Sequence, residues 1–361
     1  MIMAGWSIAA LLVLALLMWL AARFVLSGPD LSQLAPPEAE HFAGTASSGA
    51  AQAVRARVMA LRETTARAPL RRRLAVTRQA WEALLAHQAH DATFVPVHEA
   101  GVAGEWVLAP GADPSCRLLY IHGGAYAVGS ARSHRSLTTA LSCLTGCAVF
   151  AVDYRLMPEH RRRASVDDCR SAWRWLLQQG PAGPQGAARL FLAGDSAGGN
   201  LALALVAWMR DAGLRAPDAV AVMSPQTDST LASPSLRTHR HTDLLLGPAF
   251  GPLLKLPRTL LLWLLWLQLR INPSHPVVSP VFGDLSGLPP TLVQASATEM
   301  MLDDARRYAA RARAAGSPVR LQIWDNQVHV WQLFHPDLPE ATEALAQISQ
   351  FFMETPQRRD G

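Results

Sequence analysis

The chain is short of lysine, cysteine and charge. Lys255 is the only lysine among 361 residues, so arginine carries nearly all the positive charge, a bias we ascribe to genome composition rather than chemistry. Charged residues make up 17% of the chain, low for a protein surrounded by water, while hydrophobic residues make up 50%. The arginines are scattered, and no aromatic-studded basic groove or recognised motif accompanies the net charge of +5, which argues against a nucleic-acid partner. Cys116, Cys143, Cys147 and Cys169 form no C-x-x-C pair and have no histidine at zinc-like spacing, so buried free thiols are expected. His239 and His241 flank Arg240 without a third ligand in view, and no metal site is assigned there. Internal repeats and low-complexity tracts are also missing.

The hydrophobic excess has an address. From Ile2 to Ala22 there is no charged residue, and this run exceeds the ~20 residues needed to span a bilayer. Residues 1–26 are therefore expected to form a single-pass transmembrane anchor, with membrane lipid as a partner. The competing reading is a signal peptide, which wants a basic amino-terminal region, and Met1 to Gly5 contain no Lys or Arg. Arg23 and the arginines from Arg55 to Arg73 follow the span, and the positive-inside tendency then puts the catalytic domain on the cytoplasmic side. Residues 27–52, rich in Pro, Ala, Gly and Ser, read as a linker. Residues 53–90 show helical spacing, with Val58, Leu61 and Trp81 on apolar faces, and are expected to be amino-terminal cap helices.

Further along stand the pieces of a serine hydrolase, in order. Gly194-Asp195-Ser196-Ala197-Gly198 follows the strand-like run Arg189 to Ala193 and opens an apolar helix, the setting in which G-x-S-x-G exposes its serine on a strained turn. His122-Gly123-Gly124 follows the apolar run Leu118 to Ile121, so Gly123 and Gly124 can offer backbone N–H groups to an oxyanion, with Ala197 as a third donor. A serine hydroxyl needs an imidazole to take its proton and a carboxylate to orient that imidazole. His329 lies last, after the strand-like run Val319 to Trp324 and a polar turn. Glu299 comes soon after the strand-like run Pro290 to Ala295, while Asp303, the alternative acid, already sits on the next helix.

The segments His122 to Tyr126, Asp153-Tyr154-Arg155-Leu156-Met157-Pro158-Glu159-His160, Gly194 to Asn200, Ser224 to Asp228 and Val328 to Trp331 resemble the hormone-sensitive-lipase-like esterases. That group includes bacterial acetyl esterases, monoterpene lactone hydrolases and arylacetamide deacetylases. The likeness spans roughly Phe94 to Phe352, and the motifs together are far more specific than any one alone. It implies an α/β-hydrolase fold over residues 91–355, a helical cap with an insertion at about 230–275, no cofactor, and cleavage of carboxylic esters with short or medium acyl chains. By position within the motifs, Ser196, Glu299 and His329 take the triad roles and Gly123, Gly124 and Ala197 the oxyanion roles. A lipophilic ester is then the substrate. Lactone, amide or deacetylase chemistry would use the same residues, and a catalytically silent, membrane-tethered binding module is the alternative from another class.

Two departures from the family pattern stand out. Ala125 replaces the third glycine of the HGGG loop, which is tolerable if its φ is negative and only Gly123 and Gly124 donate, and its methyl narrows the acyl pocket. Arg161-Arg162-Arg163 replaces an apolar element, which predicts a strongly basic surface beside that turn. A second apolar stretch, Leu260 to Leu267, is too short to span a bilayer and falls in the cap insertion. It reads either as a buried cap helix or as one that dips into the membrane interface with Trp263 and Trp266 at headgroup level.

Overall fold

A computed structural model describes residues 2–44, 48–84, 88, 90–99 and 101–357, with side chains from residue 11 onward in the first helix. Parts of the expected anchor, linker and amino-terminal cap (residue 1, the side chains of 2–10, and 45–47, 85–87 and 89) therefore lie outside the described residues.

Short apolar runs make the strands: β1 (Glu40–Phe42), β2 (Thr93–Glu99), β3 (Val102–Leu108), β4 (Asp113–Ile121), β5 (Cys147–Val152), β8 (Arg189–Asp195), β9 (Ala219–Met223), β10 (Thr291–Ser296) and β11 (Val319–Trp324). They form one sheet in the order β1-β11-β10-β9-β8-β4-β5-β3-β2, parallel except where β3 meets β2 and β5. The two-residue strands β6 (Gln179–Gly180) and β7 (Gly183–Pro184) make a separate ribbon.

The central strands are buried at nearly every position, because helices cover both faces of a parallel sheet. On one face Leu119 and Ile121 join Trp173, Leu203 and Tyr308 from α5 (Arg162–Leu176), α6 (Ser196–Asp211) and α10 (Leu302–Ala314). On the other, Leu118 and Tyr120 join Leu137, Leu345 and Ile348 from α4 (Arg135–Thr145) and α11 (Pro339–Glu354). Alternate residues of one strand thus feed two cores, and each buried aliphatic side chain contributes about 1.5–3 kcal/mol.

The amino-terminal helices are α1 (Ile2–Ala21), continued by a π-helical turn over Ala22–Leu26, then α2 (Gly49–Arg67) and α3 (Arg73–Ala83). The 230–275 insertion holds α7 (Ser235–Thr238), α8 (Leu246–Phe250) and α9 (Arg258–Leu269). Among the described residues no helix is long and apolar enough to cross a membrane; the side chains of residues 2–10, in the first half of the candidate span, lie outside them.

Two expectations need correction. Cys116 and Cys147 are not free thiols: a bulge between β4 and β5 sets them side by side as a disulfide, with Cα atoms 4.7 Å apart. Their separation of 31 residues hid that adjacency. Cys143 is free but exposed, and only Cys169 is both free and buried. The triple-arginine run is not all surface either. Arg162 is 1% exposed; its guanidinium lies 4.0 Å over the Tyr126 ring and donates to Ser165 Oγ (2.9 Å) and Asn200 Oδ1 (2.8 Å). Only Arg161 and Arg163 face water, since helical geometry turns the middle residue inward.

The chain runs from β4 to β5 on one side and from β8 to β9 on the other. Strand order therefore reverses between β4 and β8, and the crevice at their carboxyl ends is where open α/β sheets bind ligands.

Candidate active site

That crevice holds the predicted residues. Ser196 follows β8 directly with φ of +49°, a strained left-handed turn that lifts its side chain above the sheet edge. The flanking glycines follow from close approach. A Cβ on Gly194 would lie 2.7 Å from the Gly198 carbonyl oxygen. One on Gly198 would collide with the Ile121 and His122 carbonyls at the end of β4.

His329 sits in the loop after β11 and Glu299 in the loop after β10, both buried. Nε2 of His329 lies 2.8 Å from Ser196 Oγ, and Nδ1 lies 2.6 Å from Glu299 Oε2. The second oxygen of Glu299 accepts the Ser296 N–H at 2.7 Å, which fixes the carboxylate's rotamer. With a carboxylate on Nδ1, that nitrogen carries the proton and Nε2 is left bare toward the serine. The alternative acid is elsewhere: Asp303 accepts the Ser235 N–H at 2.9 Å and pairs with Arg306.

The oxyanion expectation needs a correction at Gly123. Its N–H is directed at Asp195 Oδ1, 2.8 Å away, and so is already committed. Asp195 also takes the Tyr120 hydroxyl at 2.6 Å, and His134 Nε2 stands 3.5 Å off. Burial alone would raise the pKa of Asp195, but the neighbouring imidazole and hydroxyl hold it below the usual carboxylate range. Asp195 is thus the anchor of the loop, a task the sequence signals only through its place in the G-D-S-A-G motif. Among the described residues the N–H groups of Gly124 and Ala125 have no protein partner, and Ala197, in the first turn of α6, has no carbonyl one turn back within the helix.

His122 is no rival base. It is buried, stacked on Tyr154 with ring centroids 4.3 Å apart, and its Nδ1 meets the Gly123 carbonyl at 2.7 Å. Burial and the nearby His134 push its pKa down to about 4, which keeps it neutral.

Residues 118–333 match the family described by the α/β-hydrolase fold. The chain is 41% identical over 251 residues to an acetyl-hydrolase of Streptomyces hygroscopicus, covering 70% of this chain and 79% of that protein. The chain belongs to this family, in its hormone-sensitive-lipase-like group of esterases. It is a carboxylic ester hydrolase. An esterase of Acinetobacter venetianus is 37% identical over 257 residues, 71% of this chain and 80% of that one. The crystal structure of a bacterial hormone-sensitive-lipase-family esterase superposes with a TM-score of 0.72 at 36% identity, covering 84% of this chain and 98% of that one.

In this esterase a cavity of about 810 Å³ opens above Ser196 and His329. Leu61, Leu74 and Trp81 from α2 and α3 line it together with Leu246 and Phe250 from the insertion. A lining of this kind suits an acyl chain.

Asp243 was not foreseen. It leads into α8, is 3% exposed, accepts the N–H groups of Leu245, Leu246 and Met300, and has an oxygen within 4.8 Å of ligand-type atoms of Glu299 and His329. These three residues could in principle hold a metal, but each of them is already hydrogen-bonded, His329 and Glu299 to each other and Asp243 to backbone N–H groups. Only its position in space, next to the acid loop, marks Asp243.

Burial lowers the pKa of His329, yet the hydrogen bond and charge of Glu299, with Asp243 adding to them, raise it above the ordinary histidine value. A general base works only when neutral. The kcat/KM of the esterase is therefore expected to rise with pH through a midpoint above ~6.5. A pH profile on a short ester checks this, and a limb centred below that value would contradict it.

The expectation for Ala125 is also overturned, since its φ is +51° and that of Tyr126 is +61°. An L-residue there costs about 1–2 kcal/mol, against about 0.4–1 kcal/mol for the extra freedom of glycine in the unfolded chain. Ala125→Gly is expected to stabilise the fold by about 0.5–1 kcal/mol. Denaturant unfolding measures it, and a destabilised variant would mean that the methyl makes contacts worth more than the strain.

Proposed function

We propose that this esterase works by two-step acyl transfer on a lipophilic ester or lactone of short to medium acyl length. Ser196 Oγ attacks the carbonyl carbon, and its proton passes to His329 Nε2. Glu299 stabilises the resulting imidazolium. The oxyanion is held by the N–H groups of Gly124 and Ala197, with Ala125 taking the place first assigned to Gly123. Collapse expels the alcohol, which leaves with the proton from His329. Water then repeats the sequence on the acyl-serine, returning Ser196 and releasing the acid. No cofactor enters these steps. The observation that carries this assignment is the continuous contact from Glu299 through His329 to Ser196 at 2.6 and 2.8 Å.

The catalytic domain is proposed to ride on an amino-terminal membrane anchor over residues 1–26. Support comes from the uncharged sequence before Arg23 and from Leu11 to Leu17, none of which is covered by protein. The cap is proposed to comprise α2, α3 and the 230–275 insertion, as their share in the cavity wall suggests.

A hydrolysis screen tests the assignment: acyl-chain length varied across ester, lactone and amide, with detergent present. Turnover of short and medium esters that disappears in Ser196→Ala is the expected outcome. Faster amide than ester turnover would instead assign a deacetylase with the same residues.

A further inference from the structure

We propose that the outer face of α9, joined to the foot of the amino-terminal helix, is a lipid-contacting surface, and that the substrates are acyl esters dissolved in that lipid. This rests on the esterase assignment above and adds to it where the substrate comes from.

The face is built, not incidental. Leu261, Leu262 and Leu269 turn inward and are buried, whereas Leu260, Leu264 and Leu267 form an outer stripe at i, i+4 and i+7, each between 44% and 48% exposed. A cap helix facing water would carry polar residues on such a stripe. Trp266, 36% exposed, adds the amphipathic ring that favours a headgroup boundary.

The stripe continues into the apolar amino-terminal segment. Leu262 packs on Ala22 and Leu26, and Trp263 Nε1 donates to the Met18 carbonyl at 3.1 Å. Asn272 Nδ2 donates to the Val25 carbonyl at 2.9 Å, and Arg258 reaches the Ser27 carbonyl at 3.2 Å. Cap and helix foot are thus fastened together, and beside the seam Phe24 and Val25 are 74% and 58% exposed. Exposed Arg23, Lys255 and Arg270 flank the apolar face, as suits a boundary with anionic headgroups.

The same element reaches the active-site cavity. Leu261 belongs to a buried cluster with Leu246 and Leu254, and Leu246 and Phe250 line the cavity above Ser196. Contiguous exposed apolar surface of this kind marks a partner site. Its continuity with the uncharged amino-terminal helix identifies that partner as lipid rather than a second copy of the chain.

The test uses the full-length protein reconstituted into vesicles of mixed neutral and anionic phospholipid. In Leu264→Asp/Leu267→Asp, hydrolysis of water-soluble p-nitrophenyl acetate is expected to stay within about twofold of the parent. Hydrolysis of a medium-chain acyl ester of a lipophilic alcohol, carried in the vesicles, falls at least tenfold. In the unsubstituted protein, brominated lipid quenches tryptophan emission, and Trp266→Phe removes part of that quenching. Equal vesicle activity in the double variant, or quenching untouched by Trp266→Phe, would overturn the proposal. So would a dimer in detergent that the double variant dissociates, since a second copy would then cover the face. Loss of both activities with a native circular-dichroism spectrum would overturn it as well, because the face would then serve the chemistry itself. Should the unsubstituted protein fail on the soluble ester, the esterase mechanism fails instead, and the quenching result still decides the lipid face.

Discussion

His329→Ala is expected to lower kcat on a short acyl ester by about six orders of magnitude, the scale on which removal of the base disables a Ser-His-carboxylate unit. The physical reason is specific to the geometry. Ser196 Oγ has His329 Nε2 at 2.8 Å as its proton acceptor, and His122 is buried against Tyr154 with its Nδ1 at the Gly123 carbonyl. With Nε2 gone, the hydroxyl must attack as a neutral alcohol. What remains is the oxyanion donors and substrate binding, worth roughly 10³–10⁴ over water. KM is expected to change little, because the imidazole acts mainly in the transition state. A loss of less than a hundredfold, in protein with a native circular-dichroism spectrum, would show that another group takes the proton.

The second large effect is expected at Glu299. In Glu299→Gln the side-chain oxygen can still accept the Ser296 N–H, so the loop keeps its form, but an amide nitrogen now faces His329 Nδ1. Two donors cannot meet there. The imidazole must expose a bare Nδ1 to the amide, which moves its proton to Nε2 and leaves no base toward Ser196. A drop in kcat of about 10⁴ is the expected size for such a tautomer error. The pH limb of whatever activity remains should move downward, since Glu299 is the main group raising the His329 pKa. The pH profile separates this from mere loosening of the loop, which would reduce the rate without moving the limb. Asp303→Asn, by contrast, should leave kcat within a few-fold, as that carboxylate caps Ser235.

Much of the fold was legible because its strands are buried on both faces and announce themselves as unbroken apolar runs. Val319 to Trp324 is a strand with those limits, and the strand ending at Asp195 and the helix starting at Ser196 lie where the glycine pattern puts them. Chain order then set the positions of acid and base, because loops after consecutive strands of a parallel sheet open on one edge.

What stayed hidden depends on contacts across the chain. The commitment of Gly123 to Asp195 needs β4 beside β8; nothing in His122-Gly123-Gly124 says which N–H turns inward. Positive φ at Ala125 is a loop-closure effect, invisible in a residue that usually avoids that region. Arg162 looked like surface because charge was read without the helix turn that buries it against Tyr126 and Asn200. Asp243 comes from the cap, the region with the weakest pattern, and only the folded chain brings it to Met300 and the acid loop.

The most direct measurement is reaction of the full-length protein with a fluorophosphonate, followed by peptide mass spectrometry to locate the adduct. Attachment at Ser196 is predicted, absent in Ser196→Ala and at least a thousandfold slower in His329→Ala. Folded protein that stays unlabelled, or that carries the adduct on another serine, would contradict the mechanism.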